Sequence, residues 1–491
     1  MAKSKTLIVG AGIAGIATAI RQAVAGNTVH VFEANSYPGG KLSRFALGPY
    51  RFDAGPSLFT MPHWVDELFE LAGEDPTQSF SYLKDDVACR YFWNDRTQLT
   101  AWADAHRFAQ EAEKATGESA ARVLDHLDRA RAQYEATAPL FLESSLHRLT
   151  TYKPKTVFKA LKALGHLDLN KNMAEVHERA MRTPKMQQLF HRFATYNGSS
   201  PYKAPGVLAM IPHLEHGIGT YVPRGGMGDI TDALVALAER LGVRFHYETL
   251  VQEICVEQGE VVGLLTATGQ RWEAKQVVSN MDIVPTYRKL LPNWPAPEKI
   301  LAQERSSSAL IFYWGVNKSF PSLGLHNIFF SDDYPQEFKA LFEDHLPGKD
   351  PTVYVNITSK WVPGEAPPGA ENWFVMVNAP ADYGQDWAVL RDQTRAKVIA
   401  KLSAQLGINV EEHIEVETFL DPPGIEKATQ SYRGALYGAA SNNRLAAFLR
   451  HPNKGKGPKG LFHVGGSVHP GGGIPLCLMS AKITNQWMLE S

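Results

Sequence analysis

Cysteine is scarce in this chain: Cys89, Cys255 and Cys477 are the only three among 491 residues, far apart and in no CxxC pair. That spacing gives neither a disulfide framework nor a metal-ligand pattern, and it fits a reducing compartment. Net charge is equally thin, −1 at pH 7, so nothing points to nucleic acid as a partner. No uninterrupted apolar run reaches the ~18 residues of a membrane-spanning helix. The N-terminal MAKSKTLIVGAGIAGIATAI has a signal-like outline, basic and then apolar, but no convincing cleavage site follows. Internal repeats and low-complexity tracts are missing too. What is present, 44% hydrophobic and 21% charged residues, describes an ordinary folded protein. Its length passes the ~250–300 residues at which one core stops growing, which predicts two domains or more. The expectation is a cytoplasmic protein, soluble or peripheral to a membrane, without a metal.

The apolar stretch 6–9 reads as a strand, GAGIAG follows with Gly10, Gly12 and Gly15, and 16–25 continue as a helix. A second strand then ends at Glu33. This is the βαβ order of a dinucleotide site. Gly10 permits the tight turn, Gly12 lets the main chain approach a pyrophosphate, and Gly15 lets helix and strand pack closely. Ile13 and Ala14 open the helix whose free N–H groups and positive dipole end face phosphate. Glu33 stands about 20 residues on, where an acid binds ribose hydroxyls. A purely structural turn is the alternative that this context argues against.

After Glu33 and Ala34 comes a glycine doublet, Gly39 and Gly40, then Lys41, and later FDAGPSLF with Gly55, Pro56 and Ser57. A second close approach so soon after the ribose acid favours FAD, which is longer than NAD and is usually buried along its length. Lys41 reads equally as a phosphate neighbour or a solvated lysine. Asp53 reads as a turn or cap rather than a catalyst.

The other end of the chain runs HVGGSVHPGGGIPLCLMSAKI. A strand over 461–464 ends at Gly465 and Gly466, SVHPGGG forms a loop, and a helix starts at Ile474 with Pro475 in its first turn, where a missing N–H costs nothing. Reduction of a flavin places negative charge near N1 and O2. The N–H groups of Gly473 and Ile474 at a helix N-terminus supply the positive character that this charge needs.

Together GAGIAG…EANSYPGGK…FDAGPS, the central YVPRGGMGDITDALVALAERLG and the terminal VGGSVHPGGGIPL resemble the bacterial-type phytoene desaturase family of FAD-dependent carotenoid desaturases. The resemblance runs from Leu7 to about Trp487, and PGGGIP is its most specific part. The segment 434–454, GALYGAASNNRLAAFLRHPNK, is similar to the 1-hydroxycarotenoid 3,4-desaturase branch. The resemblance implies a carotenoid substrate, non-covalent FAD and an electron acceptor such as oxygen or a quinone. Residues alone reach only an FAD oxidoreductase.

The implied fold is α/β: a discontinuous Rossmann-like FAD-binding domain (1–86, 218–283 and 455–491) with two insertions. A mostly helical lid is expected over 87–217 and a β-sheet substrate domain over 284–454, from apolar runs such as SALIFYWGV and NWFVMV. Val251 is expected to bring its main chain to the adenine. Within 141–200 stand ten Lys and Arg against four acids, a net of +6. There KTVFKALKALGHL sets Val157, Phe158, Leu161 and Leu164 on one helical face and Lys155, Lys159 and Lys162 on another. This basic amphipathic profile suits a helix lying in the inner face of the cell membrane, the alternative being a core helix with a solvated basic face.

The implied chemistry is hydride loss from the allylic carbon and loss of a proton from its neighbour, in a dry tunnel. No general base is identified. His469, inside the terminal loop, is a candidate to touch substrate or ring, or else a hydrogen-bonding strut. Ser441, Asn442, Asn443 and Arg444 offer polar partners for a substrate hydroxyl, or simply turn the chain before Leu445. Rival readings are a flavin amine oxidase, a phytoene or zeta-carotene desaturase, a carotenoid isomerase and, from another class, a flavin-free prenyl-lipid escort. The terminal glycine loop argues against the escort.

Overall fold

The computed structural model describes residues 4–148, 151, 168, 170–443 and 449–490. Strand β1 (Lys5–Val9), helix α1 (Ile13–Val24) and strand β2 (Thr28–Phe32) form the predicted βαβ unit. A five-stranded parallel sheet grows around it, in the order Leu461–His463, Gln276–Ser279, β1, β2, Arg244–His246. Both faces are covered, which explains why Leu7, Ile8 and Val9 are all apolar. Ile8, Val31, Val278 and Phe462 pack against α1 and the helices Gly228–Arg240 and Ile474–Leu489. Leu7, Val9, Phe32 and Val277 pack against a three-stranded antiparallel sheet, Val251–Glu257, Glu260–Thr266 and Arg271–Glu273.

A second, seven-stranded sheet runs Ile414–Leu420, Ser308–Val316, Glu371–Ala379, Val353–Asn356, His326–Phe329, Val87–Phe92, Gln98–Trp102. Its last two strands come from the segment read as mostly helical; the helices begin only at Ala105. Alternation in VACRYF pairs Cys89 and Tyr91 on one face with Phe92 on the other, a strand pattern too short to stand out beside the helical stretch after it. One face of the sheet carries Trp314, Trp373, Val375 and Val355 and is sealed by the helix Trp387–Leu406. The other carries Tyr313, Phe374 and Tyr354 and looks toward the first domain. Helices Ala105–Thr116, Ala120–Phe141 and Pro184–His191 cover the far end of that face through Phe108, Leu127 and Phe190.

The segment 50–57 holds the two domains together. Tyr313 donates to the Ala54 carbonyl (2.6 Å), Asn372 Nδ2 to the Arg51 carbonyl (2.6 Å), and Ser57 Oγ lies 2.8 Å from Tyr354 Oη. No helix among the described residues is long and apolar enough to cross a membrane. The lysines Lys155, Lys159 and Lys162 and their apolar partners lie outside the described residues.

Candidate active site

The turn after β1 has the geometry its glycines imply. Gly10 sits at φ +94°, a conformation that favours glycine. A Cβ at Gly15 would press into the Gly10 carbonyl oxygen and stand 2.9 Å from Asn280 Oδ1. Gly12 caps α1, leaving Ile13 and Ala14 in the open first turn. Glu33, nine-tenths buried, accepts from Ala11 N through Oε2 (2.8 Å) and from Asn35 N through Oε1 (2.9 Å). It is thus fixed against the glycine turn rather than free in solvent. Ala34 beside it is exposed. Thr249 N donates to the Glu33 carbonyl (2.8 Å), and Val251 packs with Leu7, Val9 and Phe32, so the 248–251 main chain runs beside the acid.

The glycine doublet folds back onto this turn: Gly39 N donates to the Ala11 carbonyl (2.8 Å), and Gly12 and Gly39 form a bridge. Lys41 is not a solvated lysine. Its Nζ donates to the Leu436 carbonyl (2.7 Å) and burial pushes its pKa down. Gly55 packs against the Lys41 main chain, with Pro56 and Ser57 following half-buried. Asp53 is the cap that the sequence suggested, accepting from Met227 N (2.9 Å) and Gly228 N (3.0 Å) at the start of the helix Gly228–Arg240.

At the C-terminal loop, Gly466 and Gly472 meet main chain to main chain, and a Cβ at Gly472 would stand 2.8 Å from the Tyr437 ring. Gly473, at φ +101°, is the N-cap of the helix Ile474–Leu489, with Pro475 in its first turn. No protein atom lies within 4 Å of where a Gly473 side chain would begin. Bare main chain therefore faces open space, as a flat ring requires. His469 is 1% exposed, with Nε2 2.9 Å from the Ser144 carbonyl and its pKa lowered to about 4 by burial. It acts as a strut between this loop and the helical insert.

Residues that sequence reasoning passed over complete the site. Asn280 links both glycine loops: Oδ1 accepts from Gly15 N (3.1 Å) and Nδ2 donates to the Val464 carbonyl (3.2 Å). Its position just past the C-terminal end of a parallel strand was the available signal. Arg450, 3% exposed, donates to the carbonyls of Tyr437 (2.6 Å), Ala439 (2.8 Å) and Gly466 (3.1 Å), and burial lowers its pKa to about 10. Lys41, Asp282, Tyr437, Cys477 and Tyr354 lie deep in the fold yet keep part of their surface open. Lys41, Arg305 and Arg450 all interact with Asp282, three cations to one carboxylate.

An aromatic row crosses the second sheet. Tyr313 and Phe374 meet edge-on at 5.6 Å, Phe374 and Tyr354 at 6.2 Å, and Tyr354 stacks on His326 at 6.1 Å. Under the helical insert the buried Arg192 Nη2 bonds Glu215 (2.9 Å) and Tyr91 (2.6 Å). Burial alone would raise the Glu215 carboxyl, but Arg192 holds it below its usual range. Of the two readings of the 441–444 run, a hydroxyl partner or a turn, the described residues follow the turn. Ser441 N donates to Ser199 Oγ (2.8 Å), and Asn442 accepts from Ser200 N (2.8 Å) while donating to Glu304 (2.9 Å). These two residues turn the chain; Arg444 and Leu445 lie outside the described residues. No cluster of metal-binding side chains occurs among the described residues.

A family model described as flavin containing amine oxidoreductase matches residues 13–489. A 1-hydroxycarotenoid 3,4-desaturase from Flavobacterium sp. (strain P99-3) is 52% identical over 98% of both chains. A zeta-carotene-forming phytoene desaturase from Myxococcus xanthus is 30% identical over 99% of this chain and 94% of its own. Among solved structures, a redesigned putrescine oxidase has a TM-score of 0.65 at 15% identity, with 99% of each chain covered. An oxidoreductase from Methanosarcina mazei has a TM-score of 0.61 at 15% identity, covering 99% and 100%. Both structural likenesses concern the fold.

Proposed function

The chain belongs to the flavin containing amine oxidoreductase family, among its FAD-dependent carotenoid desaturases, and from that premise we propose that it introduces the C3–C4 double bond of a 1-hydroxycarotenoid. The observation that carries the reading is the end-to-end identity of 52% to a desaturase of that reaction. Two features support it: Asn280 joins the two glycine loops, and Tyr313, Phe374 and Tyr354 form an aromatic row suited to bordering a polyene.

In this reading Gly10, Gly12, Gly15 and the first turn of α1 hold the pyrophosphate, and Glu33 the ribose. The main chain at Gly39, Gly40 and Val251 borders the adenosine half, and Gly466, Gly473 and Ile474 border the ring. FAD supplies the two-electron acceptor for the hydride that leaves C4, the carbon next to the polyene. Tyr313, Phe374 and Tyr354 orient the chain and exclude water, so that positive charge developing at C4 spreads along the polyene rather than meeting solvent. Lys41 and Arg450 set a positive field at the loop end, where reduction brings negative charge. His469, tied to Ser144 with almost no open surface, positions the loop.

A substrate confined to lipid calls for delivery from a membrane. The +6 excess over 141–200 supports peripheral attachment at the cytoplasmic face of the membrane, with oxygen or a quinone taking the electrons onward. The test of the reaction is conversion of defined substrates in identical lipid. A 1-hydroxycarotenoid should give a product absorbing at longer wavelength, faster than its 1-deoxy counterpart. Equal or faster conversion of phytoene would overturn the substrate assignment.

A further inference from the structure

The aromatic row on the second sheet carries a polar chain of side chains, Ser57, Tyr354, His326 and Asn356. Tyr354 and His326 stand on the same face of neighbouring strands, Val353–Asn356 and His326–Phe329. Tyr354 Oη is 2.7 Å from His326 Nδ1 and 2.8 Å from Ser57 Oγ. The Asn356 side-chain N–H group lies 3.2 Å from the same His326 nitrogen. An amide N–H group can only donate, so His326 Nδ1 is an acceptor and the Tyr354 O–H points at it. Burial lowers the His326 pKa to about 4, which keeps the ring neutral and this arrangement fixed at neutral pH.

With the Tyr354 hydrogen on His326, the 2.8 Å contact takes its hydrogen from Ser57, which donates to the phenol oxygen and keeps its own lone pairs. A hydrogen-bond acceptor is thus held in place beside an apolar row. Tyr354 itself touches both the apolar cluster around Phe52 and Tyr313 and the cluster under the helical insert. A saturated hydrocarbon end meets nothing there that it can bond. An alcohol meets an acceptor for its O–H group, and without one its burial would cost free energy.

Ser57 lies two residues beyond Gly55, which packs on the Lys41 main chain beside the glycine turn. In a 1-hydroxycarotenoid the oxygen is four bonds from C4, about 5 Å at ordinary single-bond lengths. The hydroxyl group of such a substrate must therefore be bound close to the reacting carbons. Ser57 is linked toward the terminal loop by contacts: Gly55 packs on Lys41, whose Nζ donates to the Leu436 carbonyl, and Tyr437 beside it meets Gly472.

We infer that Tyr354 and Ser57 are the specificity-determining residues that bind the substrate's tertiary hydroxyl, with His326 and Asn356 positioning the phenol. The inference rests on the hydroxycarotenoid reading above. It assigns to this pair a part that was one of two readings of the 441–444 run.

The test compares kcat/KM for a 1-hydroxycarotenoid with that for its 1-deoxy counterpart, in wild type, Tyr354→Phe, Ser57→Ala and the double variant, each checked for wild-type flavin absorbance. Each single change should lower the ratio roughly 3- to 10-fold, the span of one hydrogen bond. The double variant should lose little more than either, because both groups serve one alcohol. A wild type without preference for the hydroxylated substrate overturns the reading and the inference together. A wild type with the preference, retained in full by flavin-replete Tyr354→Phe, overturns the inference alone. Should that variant fail to accumulate, Ser57→Ala decides in the same way.

Discussion

Replacing Gly15 with alanine adds one methyl group at the place where α1, β1 and Asn280 meet. The new carbon would press into the Gly10 carbonyl oxygen and lie 2.9 Å from Asn280 Oδ1. The main-chain oxygen is fixed by the turn, so α1 must move outward to accept the methyl. That movement stretches the bond from Gly15 N to Asn280 (3.1 Å) and that from Ala11 N to Glu33 (2.8 Å), which set the helix N-terminus and the acid. Overpacking of this kind costs about 1–3 kcal/mol. If it falls on the cofactor-bound form, FAD affinity drops roughly ten- to hundredfold. Titration of apoprotein with FAD, followed by quenching of flavin fluorescence, measures this directly. Gly26→Ala is the control: that glycine lies at φ +88° beyond α1 with no atom within 4 Å of the added carbon. It should lose stability while keeping FAD affinity. A Gly15→Ala protein with wild-type affinity would refute the packing argument and the placement of pyrophosphate at this turn.

Glu33→Ala should weaken FAD binding by about 1–3 kcal/mol, since it also leaves Ala11 N–H without its acceptor; isothermal titration checks this. His126 and His191 are buried in the helical insert, and burial lowers each pKa to about 4. The unfolded chain takes up their protons near pH 6.5 while the folded chain refuses them until about 4, so their contribution is complete above 6.5 and erodes below it. Between pH 6.5 and 5 each ring should cost about 2 kcal/mol. Thermal unfolding should fall over that range, and His126→Leu should flatten the slope. Co-sedimentation with anionic liposomes should decline as salt is raised, because surface charges are screened beyond ~8 Å at physiological ionic strength. Changing Lys155, Lys159 and Lys162 to glutamate should abolish it; unchanged binding would remove the membrane contact through 141–200.

Local signals carried the nucleotide end of the site. Gly10, Gly12, Gly15 and Glu33 lie within 24 residues of one another, and the chemistry of each is written in its spacing. The terminal loop was legible for the same reason, as glycines next to an apolar helix with Pro475 in its first turn. Asn280 was not, because its role exists only once residues 265 positions apart, Gly15 and Asn280, are brought together by the sheet. Arg450 was hidden differently: a lone arginine in sequence gives no sign that three carbonyls will surround it. Tyr354 and His326 became visible only through strand register, which sets a tyrosine and a histidine 28 residues apart on one face. At Ser441 and Asn442 the sequence left two readings open, a hydroxyl partner or a turn, and only the fold, by bonding them to Ser199, Ser200 and Glu304, gives the turn.

Strand Leu461–His463 joins the sheet beside Gln276–Ser279, and the helix Ile474–Leu489 packs on α1. The first glycine turn is therefore translated roughly 450 residues before the loop to which Asn280 joins it. Over that interval a nascent chain carries half of the site, with Ile8, Val278 and α1 lacking the helix that covers them. Flavin loading is expected only after that helix has emerged. Overexpression that outruns flavin supply should therefore yield full-length chains that aggregate, and added riboflavin during growth should rescue them.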